Sequence, residues 1–187
     1  MYFYTAIHKI MEAKEKNKTA KFALPNGLVL GFILVLIGVV MYVTGMQVRG
    51  ENWLMYAYYV IFPVFIGFTI YNFRKENNGY LSLVEALKVG VGVALISGVL
   101  YAVFYFILIN FIDPGLSEQM LALGRENIVE MYPNLTDEQI EAQLEIAKKL
   151  SSPAIGGAFF VILSVFLGFI YSLILGLIFK KTNPHQY

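Results

Sequence analysis

Four runs of this sequence are long enough to cross a bilayer and hold no Asp, Glu, Lys, Arg or His: residues 28–46, 53–73, 89–112 and 154–179. A helix rises about 1.5 Å per residue, so roughly 20 apolar residues span the hydrocarbon. Composition agrees, because 58% of the residues are hydrophobic and 14% charged, against about 25% charged in ordinary soluble domains. The expected fold is an all-α integral membrane four-helix bundle, one membrane domain over residues 26–187 preceded by an N-terminal segment, 1–25. The third and fourth runs exceed the length a perpendicular span needs, which implies tilt or protrusion.

The basic residues alternate between connecting segments. Lys9, Lys14, Lys16, Lys18 and Lys21 precede the first span, Arg74, Lys75 and Lys88 flank the second connection, and Lys180 and Lys181 follow the fourth span; only Arg49, Arg125, Lys148 and Lys149 occupy the other two connections. Short loops rich in Lys and Arg stay in the cytoplasm. The expected topology is therefore multi-pass in the bacterial inner membrane with both termini cytoplasmic. The first run is as long as a full span and no small-residue cleavage site follows it, so it reads as a retained anchor rather than a signal peptide. Ahead of it, Phe3, Ile7 and Ile10 among the lysines suggest a short amphipathic helix that lies in the headgroups and attracts anionic lipid. No cysteine is present, which excludes disulfides and thiolate metal sites.

The connection over residues 113–152 is too long for a turn. Ser117 is a candidate cap for a helix ending near Met131, since Pro133 disfavours helix in the residue before it. Thr136-Asp137-Glu138-Gln139 is a capping box opening a second helix to about Leu150. Met120, Leu123, Ile128 and Met131 on the first and Ile140, Leu144, Ala147 and Leu150 on the second recur at helical spacing. An extracytoplasmic helical hairpin results, closing over the bundle's outer end or offering a partner a docking surface. Asn134-Leu135-Thr136 matches a glycosylation sequon that occurs often by chance.

Within the membrane the most regular pattern is a set of small-residue stripes. Gly90, Ala94, Gly98 and Ala102 follow one another at intervals of four in the third span, as do Ser164, Gly168, Ser172 and Gly176 in the fourth. Small side chains let two backbones approach closely where lipid supplies no hydrophobic drive to associate. These two helices are expected to pack along their stripes, with Gly31, Gly38 and Gly45 of the first span as a weaker version. Dimerisation through a stripe is the alternative use. Pro63, mid-way along the second span, is expected to kink that helix. Tyr and Trp near the span ends fit interfacial belts. His8 and His185, both in the tails, make a poor metal site.

Candidates for chemistry reduce to Asn110 and Asp113 at one bilayer edge and Glu85 at the other. No phosphate loop, HExxH spacing or hydrolase triad is present, nor a basic and aromatic surface that would read nucleic acid. No cofactor is implied. Ser82 and Glu85 form a Ser-x-x-Glu capping box at the cytoplasmic start of the third helix, with the carboxylate at the positive end of the helix dipole and Lys88 one turn on. Glu85 thus reads as a cap where the helix meets the membrane and not as a buried proton carrier.

The order Tyr71, Arg74, Gly79, Ser82, Glu85, Ala86 and Gly90 between two spans, then Asp113-Pro114, a helical insert and a last span ending in Lys180-Lys181, resembles the bacterial four-helix membrane family catalogued as domain of unknown function 4199. The resemblance covers residues 25–181. It implies an integral inner-membrane protein and brings no activity, substrate or catalytic residue with it. The expected role is a non-enzymatic structural or accessory protein, in contact with membrane lipid, that binds a membrane-protein or extracytoplasmic partner. A small transporter or channel-like component working as a homo-oligomer is the alternative, and an intramembrane enzyme ranks last.

Overall fold

A computed structural model describes the backbone of residues 2–49 and 53–181 and the side chains of 18–49, 53–54 and 56–181. The chain is helical in α1 (Tyr2–Val43), α2 (Met46–Arg49), α3 (Trp53–Glu76), α4 (Leu83–Ile107), a π-helical turn (Leu108–Ile112), α5 (Leu116–Met131), α6 (Asp137–Leu150) and α7 (Pro153–Phe179). Four stretches are long and apolar enough to cross a membrane: Lys18–Val43, Tyr56–Glu76, Leu83–Ile112 and Pro153–Phe179. This is a multi-pass membrane protein built as an all-α bundle. Helices suit that setting because they satisfy each backbone N–H and C=O within the segment.

The N-terminal segment and the first span form one unbroken helix, and the side chains of Phe3, Ile7 and Ile10 lie outside the described residues. The first span ends three residues earlier than its hydropathy suggests. Thr44 N donates to Val40 O and Gly45 N to Tyr42 O, both at 3.0 Å, and Gly45 takes φ +68°. That left-handed residue is where glycine stops a helix at low steric cost.

α4 lies at the centre, packing most extensively on α7 and then on α1, while α3 closes the bundle with fewer contacts. The two kinds of contact follow from side-chain size. On one side of α4, Gly27, Gly31 and Gly38 of α1 face Ile96, Leu100 and Phe104. On the other, small residues of α4 and α7 face each other. α3 fills the remaining space with large side chains instead: Phe62, Ile66, Ile70 and Phe73 are all fully buried. Pro63 sits half-buried inside α3, which remains helical on both sides of it.

The hairpin of α5 and α6 stands at the end of the bundle opposite Lys18 and Lys181. α5 begins after Gly115 rather than after Ser117, two residues earlier, where Gly115 N donates to Asp113 Oδ1 at 3.1 Å and fixes the turn. Thr136 and Gln139 cap α6 reciprocally. The hairpin meets the bundle at its base, α5 against α2 and α6 where it joins α7. Leu116 is buried there with Leu108 and Ile109, and Met120 packs against them. The hairpin therefore covers a corner of this end rather than the whole of it.

Candidate functional site

The densest polar constellation lies at the lysine-rich end, where α3 turns into α4. α3 must reverse direction in a few residues, and Asn77-Asn78-Gly79 does this with φ +54° at Asn78 and +81° at Gly79. A Cβ on Gly79 would meet nothing within 4 Å, so its positive φ alone favours glycine. Gly79 N donates back to Arg74 O at 2.9 Å, and Arg74 Nε donates to Gly79 O at 3.0 Å. Tyr80 and Leu81 then lead to the cap of α4.

Asn77 is the hub. Its Nδ2 donates to Tyr80 O at 3.0 Å and to Glu85 Oε1 at 3.3 Å, while its Oδ1 accepts from Lys18 Nζ of α1. Glu85 Oε2 accepts from Ser82 N at 2.8 Å and from Ser82 Oγ at 2.9 Å, and Glu85 N donates to Ser82 Oγ at 3.2 Å. Both carboxylate oxygens of Glu85 are thus engaged, one in the cap and one by Asn77. Leu81, almost fully buried, exchanges two backbone bonds with Lys181 beyond α7, at 3.0 and 2.9 Å. Lys18 lies over the Phe73 ring and Lys181 over the Tyr80 ring, each 5.7 Å from the centroid, within cation–π range. Lys21 pairs with Glu76 at 2.7 Å.

One short turn therefore ties together the ends of all four spans. Because Lys18, the α3–α4 connection and Lys181 meet directly, these three segments share one side of the membrane. The arrangement holds helix ends in register and leaves neither Glu85 oxygen without a donor. Among the described residues no group of three His, Cys, Asp or Glu is placed to hold a metal ion. Ser82 and Glu85 lie within the clasp; the roles of Asn77, Lys18 and Lys181 did not emerge from the sequence. Asn-Gly is a turn signal, which could have drawn attention to Asn77's neighbourhood, but nothing local marks Lys18 or Lys181.

The stripes run away from this clasp along the α4–α7 seam. One turn forward on α4 matches one turn back on α7: Ala86 faces Gly176, Gly90 faces Ser172, Ala94 faces Gly168 and Gly98 faces Ser164. Ala102 meets Gly157, which lies beyond the spaced set on α7. Buried hydroxyls turn back on their own helices, Ser97 Oγ donating to Ala94 O at 3.1 Å, Ser172 Oγ to Gly168 O, and Thr69 Oγ1 to Phe65 O at 2.9 Å. Tyr58 turns its hydroxyl inward to Ser164 Oγ at 3.5 Å, whereas Trp53, Tyr56 and Tyr59 face outward. Of the first-span glycines, Gly31 and Gly38 face α4 and Gly45 lies in the turn.

At the opposite end, Asn110 of the π-helical turn donates through Nδ2 to Phe106 O of α4 at 2.8 Å, and Asp113 N donates to Leu108 O five residues back at 2.8 Å. Tyr105 OH donates to Ser151 O at 3.1 Å, joining α4 to the α6–α7 junction.

A family model described as a protein of unknown function, DUF4199, matches residues 25–181. That range takes in the clasp from Phe73 to Lys181 and leaves out Lys18 and Lys21. No curated protein and no solved structure matches the chain.

Proposed function

Since this chain belongs to the DUF4199 family of proteins of unknown function, we propose that it is a non-enzymatic accessory protein of the bacterial inner membrane that presents its α5–α6 hairpin to a membrane-protein or extracytoplasmic partner. One observation carries this reading. Val129, Met131, Tyr132, Ile146 and Leu150 are all exposed on the hairpin, a segment outside the candidate spans. Apolar surface facing lipid is at home in a membrane protein, whereas exposed apolar surface in water marks interaction sites. The hairpin's attachment at its base leaves that surface accessible.

The termini and the α3–α4 turn are assigned to the cytoplasm, because Lys18, Lys21, Arg74, Lys75, Lys88, Lys180 and Lys181 gather at their end and basic segments are retained inside. Against a conduction path through a single copy, the buried hydroxyls of Ser97, Ser172 and Thr69 are committed to their own helices and that of Ser164 faces Tyr58.

Photo-crosslinking residues placed at Met131 and Ile146, with Phe166 as a lipid-facing control, test the reading in native membranes. Discrete protein adducts from the two hairpin positions but not from Phe166 are expected. Adducts from Phe166 alone would overturn it, as would a topology reporter that places residues 120–145 in the cytoplasm.

A further inference from the structure

Where α1 gives way to α2, beside the π-helical turn, a cavity of about 340 Å³ is lined by Tyr42, Gln47, Asp113 and Gln119 together with Val48 and Leu116. Its volume falls in the range of small-ligand pockets, about 300–1,000 Å³. It lies level with the ends of two spans, at Val43 and Ile112, and so at the boundary between lipid and water.

The polar lining has a definite sign. One carboxylate, two carboxamides and a phenol face no Lys, Arg or His among the lining residues. Asp113 Oδ1 accepts from Gly115 N at 3.1 Å, and the carboxylate is half-buried. The carboxylate also stands at the carbonyl end of the long helix formed by α4 and the π-helical turn, where the helix dipole disfavours negative charge and favours a cation. The Leu108 carbonyl is taken by Asp113 N, and Pro114, next in line, has no N–H with which to continue the ladder. Such single-turn π insertions recur at functional sites.

An anion would meet both the carboxylate and the helix dipole. A bare divalent cation seeks six or more oxygens within about 2.6 Å, and one carboxylate in a cavity of this size does not provide that shell. An ammonium group fits each feature: it can donate to Asp113 Oδ2, share its remaining hydrogens with Gln47 or Gln119, and lie against the Tyr42 ring. We propose that this cavity binds a primary ammonium group, carried either by the ethanolamine headgroup of a phospholipid or by a free amine.

Two arms separate the sources. In the first, the purified protein in detergent is titrated with ethanolamine, using ethylene glycol as the uncharged control and NMR or calorimetry as the readout. In the second, the protein is exchanged into nanodiscs containing phosphatidylethanolamine and phosphatidylcholine, and the lipid that remains bound is identified by native mass spectrometry. Asp113→Asn keeps an acceptor for Gly115 N while removing the charge, and Gln47→Leu is the second variant. Ethanolamine binding at least tenfold weaker in Asp113→Asn, with no binding of ethylene glycol, assigns the site to a free amine. Retention of phosphatidylethanolamine that is lost in Asp113→Asn, without binding of free ethanolamine, assigns it to the lipid headgroup. Should Asp113→Asn not fold, Gln47→Leu must weaken one of the two signals. The proposal is overturned if neither arm shows binding, if the uncharged control binds as well as the amine, or if the variants that fold bind as the original does.

Discussion

The two ends of this bundle are held by different means. At the lysine-rich end a short turn engages side chains or backbone from all four spans, through Asn77, Glu85, Lys18 and Lys181. At the hairpin end the links among the described residues are fewer, chiefly Leu116 and Met120 against Leu108 and Ile109 and the bond from Tyr105 to Ser151. The α4–α7 seam is tightest a turn or two in from the clasp, at Gly90 and Gly168, while a Cβ at Gly176, nearer the clasp, would sit 2.9 Å from that of Ala86. A Cβ added at Gly90 would overlap Ser172 Oγ and sit 2.8 Å from its Cβ, and one at Gly168 would collide with the Cβ of Ala94. Further along, the clearance opens to 3.0 Å at Gly98 and 3.5 Å at Gly157. The hairpin end also carries the cavity beside Asp113 and the apolar groove between Ala102 and Ala158. The difference teaches that rigidity and accessibility are divided along the membrane normal.

The seam offers the strongest test of that division. Gly168→Ala should cost about 1–3 kcal/mol, because Ala94 is a small residue on a helix and has no side chain to swing aside. Gly157→Ala, at ordinary van der Waals clearance, should stay within about 0.5 kcal/mol. Thermal unfolding in detergent measures both, and equal losses would erase the difference.

The clasp comes next. Ser82→Ala combined with Glu85→Gln should lower stability by about 0.5–2 kcal/mol, the usual range for a lost helix cap. Thr136→Ala removes the same kind of cap from α6, yet it should leave the unfolding temperature of the bundle nearly unchanged, because α6 is attached only at its base. A similar drop for both variants would mean that the hairpin is as integral to the bundle as the clasp.

Asn77→Ala should cost about 0.5–1.5 kcal/mol, the net worth of ordinary hydrogen bonds. A double-mutant cycle with Lys18→Ala should show that the two effects are coupled, since Lys18 donates to Asn77. Additive losses would mean that the contact between α1 and the turn contributes nothing. A smaller effect than at Asn77 is expected at Arg125, which pairs with Glu141 at 2.6 Å while both side chains remain about half exposed. Arg125→Ala should change stability by no more than about 1 kcal/mol, as solvent-screened pairs do.

How much of this could be read from the chain depended on the range of each interaction. The spans were legible because hydrocarbon thickness sets their length, and the pairs Ser82 with Glu85 and Thr136 with Gln139 because capping is settled within one turn. The intervals of four on α4 and α7 were legible as stripes, but their register was not, and the ends of the seam recruit Ala86 and Gly157. Lys18 meeting Asn77 and Leu81 meeting Lys181 span 59 residues and most of the second half of the chain, distances at which sequence spacing carries no signal. Pro114 gave no warning of the π-helical turn, and Ser117 looked like a cap because serine suits that position, whereas the Asp113–Gly115 turn starts α5 earlier.

Hydrogen–deuterium exchange in nanodiscs, resolved by peptide, tests the central claim most directly. Backbone amides of Gly79, Tyr80 and Leu81 are all hydrogen-bonded, Leu81 across the bundle to Lys181, whereas Tyr132 and Leu135 bond only locally, to Ile128 and Tyr132, at an exposed connection. The clasp should therefore exchange more slowly than residues 132–135 and than the π-helical turn. Slow exchange at the α3–α4 turn with faster exchange towards the hairpin is the predicted result. Exchange at residues 79–81 as fast as at 132–135, with the hairpin end the better protected, would contradict it.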